Sequence, residues 1–294
     1  MIILSKHQEF QPYIICMLTI KNTIVFSLIT IFSFFCKPLI LYSQEKPFII
    51  VLDAGHGGHD TGNRGNGYYE KKIALNIALK TGKKLEKIKG IKVIYTRKTD
   101  VFVDLIERAN IANRVDADLF ISIHCDAFTS SKAFGAGTFV LGLHENERNF
   151  KVAQKENSVI FLEKDYEKKY DGFNPNDPQS VISLLLMQQT YLDQSIIAAS
   201  SFQKSFVSNL NRKDRKVKQA GFIVLKYTYM PSVLVETGFL TNASEGAYLN
   251  SKKGQESMSN ALAKAIVNYR NIRDATFVKE TFVIENNNNI NQII

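Results

Sequence analysis

Short, continuous apolar runs alternate with amphipathic segments through the first half of this chain. The runs at residues 48–52 (FIIVL) and 119–123 (LFISI) are rich in β-branched residues, as is typical of strands buried on both faces of a sheet. The spacing of apolar residues also predicts helices over 70–88 and 104–115, and strands over 91–95 and 137–141. Strands that alternate with helices predict an α/β fold, here a single domain with a central, mostly parallel (mixed) sheet flanked by helices.

This alternation stops between about residues 143 and 220, where the sequence contains no clear strand. A segment rich in Lys and Glu predicts one helix over 149–166. Asp177 and Pro178 form an N-cap followed by a proline at the first helical position, which predicts a second helix up to about residue 210. Such a long connection is uncommon in a compact domain, so we interpret 143–220 as a helical insertion in a domain that spans 47–272.

The sheet is expected to resume after the insertion, with strands over 222–225 and 233–235. A last helix is predicted over about 255–269. The tail that follows, residues 273–294, is polar and rich in asparagine, so we expect it to be disordered.

The first 43 residues have the pattern of a secretory signal peptide. Lys21 precedes an apolar run over 23–36, and a small residue, Ser43, stands near the end. Met17 is an alternative start that would shorten this leader. An uncleaved membrane anchor is the other interpretation, but the run is short for a bilayer span. We therefore expect a periplasmic or secreted protein with no stable membrane span after signal cleavage.

Charge and cysteine content narrow the possible partners. The formal net charge of +9 favours anionic partners such as wall polymers, membrane surfaces or nucleic acid. No aromatic-basic RNA motif and no zinc-finger cysteine pattern is present, so nucleic acid is not an expected partner. Only Cys125 of the three cysteines lies beyond the leader, which leaves no intrachain disulfide; stability must then come from core packing and from any bound metal.

Four polar residues follow predicted strands or begin a predicted helix. His56 lies in DAGHGG just after the first strand, His124 ends the third strand, Glu70 begins the first helix, and Glu236 follows a later strand. Sites in open α/β sheets assemble at the carboxyl ends of strands. Two imidazoles and one carboxylate leave a fourth tetrahedral position open for water, as in catalytic zinc sites. This predicts three metal ligands, with Glu236 as a general base for water.

Other residues near these positions have plainer predicted roles. His59 and Asp60 are expected to shape the loop after the first histidine. Arg97, Asp100 and Arg108 are expected to form a structural ion-pair and capping network, with contact to a substrate as the other interpretation. Cys125 is interpreted as a small packing residue, with an oxidation-sensitive thiol or an alternative ligand as the other interpretation.

Five ordered segments resemble the zinc amidase family of peptidoglycan hydrolases, in particular its bacterial cell-separation members. They are DAGHGGHDTGN, YYEKKIALNIAL, VIYTRKTDVFVDLIERANIAN, ADLFISIHCDAF and SVLVETGFLTN. The resemblance spans about residues 47–270. It implies hydrolysis of the amide between N-acetylmuramic acid and L-alanine in peptidoglycan, for wall remodelling and daughter-cell separation. It also implies Zn²⁺ bound by His56, Glu70 and His124, with Glu236 as the catalytic glutamate.

The resemblance further implies regulation by the insertion. In cell-separation amidases with similar insertions, a helix covers the zinc site until an activator protein displaces it. The helix over 149–166 is therefore expected to block the site, with Glu156 or Glu163 reaching the metal, and the helix over 177–210 to be the surface on which the activator docks. The alternative is that both helices pack on the sheet as a structural subdomain.

Two other functions remain open at this point. A zinc peptidase that cuts within the peptidoglycan stem peptide would use the same metal chemistry. A non-catalytic wall-binding regulator is the alternative outside the enzymes, but such a protein does not need the complete set of His56, Glu70, His124 and Glu236.

Overall fold

A computed structural model of the protein describes residues 46–143, 146–181 and 189–291. The predicted signal peptide, residues 1–43, and the last three residues of the tail lie outside the described residues. Among the residues described, no helix combines the length and the apolar content that a membrane crossing requires.

A six-stranded mixed sheet forms the centre of the fold. Its strands are β1 (Phe48–Ala54), β4 (Ile91–Tyr95), β5 (Leu119–Asp126), β6 (Ala136–Leu141), β7 (Asp214–Ala220) and β8 (Ser232–Phe239). Their spatial order is β4-β1-β5-β8-β6-β7. The first four of these run parallel, whereas β6 is antiparallel to β8 and parallel to β7. The predicted α/β fold with a mostly parallel, mixed sheet is thus confirmed. Two short strands, β2 (Arg64–Gly65) and β3 (Tyr68–Tyr69), form a separate hairpin.

Helices cover both faces of this sheet. They are α1 (Glu70–Leu85), α2 (Leu105–Arg114), α3 (Glu147–Asn157), α4 (Tyr166–Lys169), α5 (Leu192–Leu210), α6 (Ile223–Lys226), α7 (Ala243–Asn250) and α8 (Lys252–Asn291). Because successive strand residues point to opposite faces, Ile50 and Leu52 of β1 join the core under α1, α5 and α8, while Ile49 and Val51 join the core under α2 and α6. The second of these faces carries the polar residues described below.

The secondary structure near the carboxyl end of the insertion differs from the prediction. Strand β7 lies in the region predicted to lack strands, and residues 222–225, predicted as a strand, mostly form the single turn of α6. As an edge strand, β7 needs no continuous apolar run, and its sequence DRKVKQA is correspondingly polar. A short apolar run such as FIVL has too few residues to distinguish a strand from a buried helical turn.

The two predicted insertion helices are also shorter than expected. The first is α3, capped by the side chain of Asn146, which accepts a hydrogen bond from Asn149 N at 3.0 Å. A 3₁₀ helix, Ser158–Leu162, and α4 follow it. Of the second, the structure describes a 3₁₀ turn at Pro178–Val181 and then α5 from Leu192 onwards. The part of this second predicted helix at residues 182–188 lies outside the described residues.

The carboxyl-terminal helix is longer than predicted. Helix α8 continues to Asn291, through most of the tail that was expected to be disordered. No glycine or proline occurs between residue 255 and residue 291, so this segment lacks the two residue types that most disfavour a helix interior.

Candidate metal centre

His56 and His124 converge from the ends of adjacent strands. β1 and β5 pair in parallel up to Ala54 and Ile123, so the chain leaves both strands at the same edge of the sheet. The two imidazole ring centroids lie 4.9 Å apart. A Cβ atom on Gly55 would lie only 2.5 Å from the ring of His124, so glycine at position 55 is what allows this close approach.

Glu70, the first residue of α1, links the two imidazoles. Its Oε2 lies 3.1 Å from His56 Nε2, and its Oε1 lies 3.0 Å from His124 Nδ1. The backbone N–H groups of Asn63 and Cys125 donate hydrogen bonds to the same carboxylate at 2.7 and 2.8 Å. Burial favours the neutral acid, but the two histidines outweigh it and hold the pKa of Glu70 well below its ordinary value. Glu70 is therefore an ionised, fully buried carboxylate.

A fourth group comes from helix α3 of the insertion. Glu156 Oε2 lies 3.1 Å from His56 Nε2 and 3.1 Å from His124 Nδ1. Together with Glu70, these residues present ligand atoms that all lie within 4.8 Å of one another. Burial and the charge of Glu70 oppose ionisation of Glu156, yet the two histidines lower its pKa to about 2.

The chemistry of this cluster fits a zinc ion. Two imidazole nitrogens and carboxylate oxygens are the ligands that zinc takes in proteins. His56 Nε2 and Glu156 Oε2 face each other in the buried centre, and neither has a hydrogen-bond partner among the described residues. Burial disfavours charged histidine, but the two glutamates raise the pKa of His56 well above its ordinary value and that of His124 to about 10. The cluster therefore attracts positive charge, as a cation site should.

A second layer of buried polar residues orients both imidazoles. Asp60 Oδ2 lies 2.7 Å from His56 Nδ1. Ser122 Oγ lies 3.0 Å from His124 Nε2 and donates a hydrogen bond to Asp53 at 2.6 Å. A metal-binding histidine usually bonds through its other ring nitrogen to such a partner, which fixes its tautomer. His56 Nε2 and His124 Nδ1 are the nitrogens left for a metal.

Sequence reasoning missed the role of Asp53 and Ser122. A signal was available for Ser122, since it stands two residues before His124 on a strand and so points to the same face. The loop position of Asp60 gave no comparable indication of which atom it would contact.

Arg97 and Arg108 form the predicted structural network beneath this layer. Arg108 donates to Asp53 Oδ1 at 2.8 Å and to the carbonyl oxygens of Ala54 and His56 at 2.8 and 3.0 Å. Arg97 donates to the carbonyl oxygen of Ala54 at 2.9 Å. Both guanidinium groups thus hold the backbone around the first histidine in place.

Glu236 lies on the neighbouring strand, separate from the four clustered groups. In the parallel pair of β5 and β8 it stands directly beside His124. It is fully buried, and neither carboxylate oxygen has a hydrogen-bond partner among the described residues. Burial first, and then the charges of Asp126 and Glu156, raise the pKa of Glu236 well above its ordinary value.

Glu163 and Cys125 lie outside the cluster. Glu163 accepts hydrogen bonds from Leu105 N and from the hydroxyl of Tyr170, both at 2.8 Å. Because α3 ends at Asn157, the chain turns away before residue 163, and this carboxylate caps the start of α2 instead of reaching the metal ligands. The buried thiol of Cys125 lies 3.2 Å from Thr237 Oγ1.

A cavity of about 570 Å³ opens beside Glu156, between α3 and the loop after β5. Its charged lining consists of the cations Arg64, Arg148, Lys151 and Lys155 and the carboxylates Asp126, Glu147 and Glu156. The cavity therefore presents charges of both signs.

Residues 50–268 match the N-acetylmuramoyl-L-alanine amidase family. The chain is 34% identical over 228 residues to the N-acetylmuramoyl-L-alanine amidase AmiA of Escherichia coli strain K12, and the match covers 75% of each protein. Its fold is similar to that of an N-acetylmuramoyl-L-alanine amidase from Clostridium difficile 630, with a TM-score of 0.58 and 26% identity over 77% of this chain and 98% of the other. The CwlD amidase from Clostridioides difficile, solved in complex with the GerS lipoprotein, gives a TM-score of 0.56 and 26% identity, covering 76% and 98%.

Proposed function

Because this chain belongs to the N-acetylmuramoyl-L-alanine amidase family, we propose that it hydrolyses peptidoglycan with a zinc ion held by His56, Glu70 and His124. The bond that it cleaves is the amide between N-acetylmuramic acid and L-alanine, in the service of wall remodelling and cell separation. The observation that supports zinc is the buried group of two imidazoles and two carboxylates whose ligand atoms lie within 4.8 Å of one another.

Bound zinc would supply a Lewis acid for the scissile carbonyl and would lower the pKa of water. Glu236 is the group of this chain that can take the proton of the attacking water and deliver it to the amino group of L-alanine. Its burial disfavours the carboxylate, whereas positive charge at the neighbouring cluster favours it. In the structure the charge of His124 opposes the rise in the pKa of Glu236 that burial, Asp126 and Glu156 cause.

We further propose that α3 inhibits the enzyme. With zinc held by His56, Glu70 and His124, Glu156 would occupy the position that a catalytic zinc site keeps open for water. The side chain of Asn157 fastens the end of this helix, donating to Gly221 O at 2.6 Å and accepting from Ile223 N at 2.8 Å. The alternative, that α3 is part of a purely structural subdomain, does not explain why its Glu156 carboxylate lies among the proposed metal ligands.

Release of the site would then require a partner protein. The similarity to CwlD, solved in complex with GerS, supports a protein partner for this fold. The docking surface predicted over 177–210 is larger than the surface that a partner can reach. Helix α5 packs into the core through Phe202 and Phe206, which are fully buried. Of this surface, in the part of the chain that the structure describes, we propose that the exposed edge of α5 is available to an activator. Since the substrate lies outside the cytoplasm, we propose a periplasmic or secreted location.

The test is hydrolysis of purified, dye-labelled peptidoglycan by the zinc-loaded chain with and without a chelator, with mass spectrometry of the released fragments. Peptides that begin with L-alanine are the expected product. Fragments cut within the stem peptide would support the zinc peptidase instead. Binding without any release, in a zinc-loaded chain that carries Glu156→Ala, would support a wall-binding regulator.

A further inference from the structure

A β-bulge changes the direction of Arg215 on the edge strand β7. Two residues of β7, Arg215 and Lys216, oppose the single residue Gly137 of β6. Lys216 takes a φ of 68°, in the left-handed region that residues other than glycine seldom adopt. Bulges bend a strand, re-aim a side chain and are frequent beside active sites.

The side chain of Arg215 lies on the face of the sheet that carries His124 and Glu236. Gly137 and His124 are the register partners of Glu236 on its two sides, and partners in a sheet point to the same face. A Cβ atom on Gly137 would lie 3.2 Å from Arg215 Cβ and 3.6 Å from its Nε. The arginine therefore fills the space of the missing side chain at position 137, directly beside Glu236.

The guanidinium of Arg215 is only partly paired. Its Nη2 donates to Asp126 at 2.6 Å, and its plane lies over the ring of Phe239, 4.2 Å from the centroid. The residue is 8% exposed, yet Nε and Nη1 have no hydrogen-bond partner among the described residues. Buried N–H groups without a partner cost free energy, so this arrangement favours a ligand that accepts hydrogen bonds from them.

A second cation stands next to this arginine. Lys218 lies over the ring of Phe139, two residues along β6 from Gly137, and therefore on the same face. Burial and then the charge of Arg215 lower the pKa of Lys218 to about 8. Asp126 is the ion-pair partner of Arg215, and Lys218 adds a second positive charge that also lies near Asp126 and Glu236.

We propose that Arg215 and Lys218 form a subsite for a carboxylate of the stem peptide, on the leaving-group side of the scissile amide. This inference rests on the proposed function. The metal ligands lie on the β1 and β5 side of Glu236, and Arg215 lies on its other side. Because Glu236 protonates the departing amino group of L-alanine, the peptide that follows extends away from the metal, towards β6 and β7.

The chemistry of the ligand matches this position. Stem peptides carry carboxylates on residues that follow L-alanine, and a guanidinium can hold a carboxylate through two N–H groups. The unpaired Nη1 of Arg215 lies beside Nη2 at the end of the guanidinium, so it can donate to such a carboxylate, whereas the uncharged sugar offers no charged acceptor.

The experiment uses the zinc-loaded full chain with Glu156→Ala as the parent, which removes the blocking carboxylate. Two soluble muropeptides are compared, with the residue after L-alanine bearing either a free or an amidated carboxylate. Arg215→Gln should raise KM for the free carboxylate on the order of 10- to 100-fold, the effect of a lost charge-assisted hydrogen bond. The same variant should change KM for the amidated substrate at most about two-fold, and kcat should change little for either.

Controls separate recognition from folding. The pair Asp126→Asn with Arg215→Gln removes the carboxylate that Arg215→Gln alone would leave without its ion-pair partner, and it should show the same loss of discrimination. Lys216→Gln removes an exposed charge of the same bulge and should behave like the parent. Equal losses on both substrates would overturn the proposal in favour of a structural role, as would an unchanged KM. A parent that cleaves neither substrate would contradict the amidase function itself.

Discussion

Replacing Glu156 by alanine should raise the basal hydrolysis of peptidoglycan without removing zinc. The side chain contributes one oxygen that lies 3.1 Å from both His56 Nε2 and His124 Nδ1. The three proposed zinc ligands are unchanged by the substitution, so the metal should stay bound while its fourth position becomes available to water.

The size of the effect follows from the contact that is lost. We take the buried ion-pair contact of Glu156 as comparable to a hydrogen bond to a charged group, about 1.5–3 kcal/mol, and each 1.4 kcal/mol changes a population ratio about ten-fold. The open form should therefore become roughly 10- to 100-fold more populated, and the basal rate should rise by the same factor. The increase should remain below full activation, because the two hydrogen bonds of Asn157 still hold the end of α3.

Dye release from labelled peptidoglycan measures this rate without any activator, and elemental analysis measures zinc in the same samples. Glu167→Ala is the matched control, since it removes an exposed carboxylate of α4 that lies outside both the cavity and the ligand cluster. If Glu156→Ala retains zinc and its basal rate equals that of the unmodified chain, the inhibitory role of this carboxylate is wrong.

Three further predictions test the rest of the site and the bulge. Glu236→Gln should retain zinc but lower the hydrolysis rate on the order of 10²–10⁴-fold, and undiminished turnover of labelled peptidoglycan would exclude Glu236 as the general base. Ser122→Ala should weaken zinc binding about 10- to 100-fold in a chelator competition; an unchanged affinity would mean that the bond to His124 Nε2 is unimportant. Lys216→Gly should stabilise the fold by roughly 0.5–1 kcal/mol, since glycine removes the left-handed strain but adds entropy to the unfolded chain. Urea denaturation would show this, and a lower midpoint would contradict it.

The convergence of His56 and His124 was predictable because simple geometry gathers them. His56 and His124 follow buried apolar runs, and the carboxyl ends of parallel strands meet at one edge of a sheet. The order of the strands in the sheet could not be predicted from the sequence, however. The pairing of β5 with β8, which places Glu236 beside His124, is therefore known only from the structure.

The glutamate that we propose as inhibitory was harder to identify from the sequence. The segment over 149–166 is charged throughout, so its pattern does not indicate which residue faces the site, and Glu156 and Glu163 were equal candidates. The choice depends on where α3 ends, at Asn157, and a helix boundary is the least predictable property of a helix. The bulge at Arg215 could not be predicted from the sequence either. A polar edge strand lacks the alternation of apolar residues from which its register could be inferred.

The packing of α3 also limits what an activator must be. Ala153 of α3 and the residues Val159 and Ile160 that follow it are buried in the core on the catalytic face of the sheet. Moving this segment away from the metal exposes that apolar surface to water, which costs free energy in proportion to the area. Substitution of Glu156 removes only the polar contacts that hold α3 over the site. The burial of Ala153, Val159 and Ile160 still favours the closed form. A partner that activates fully must therefore cover this apolar surface itself, and we expect its docking face to be apolar where it meets α3.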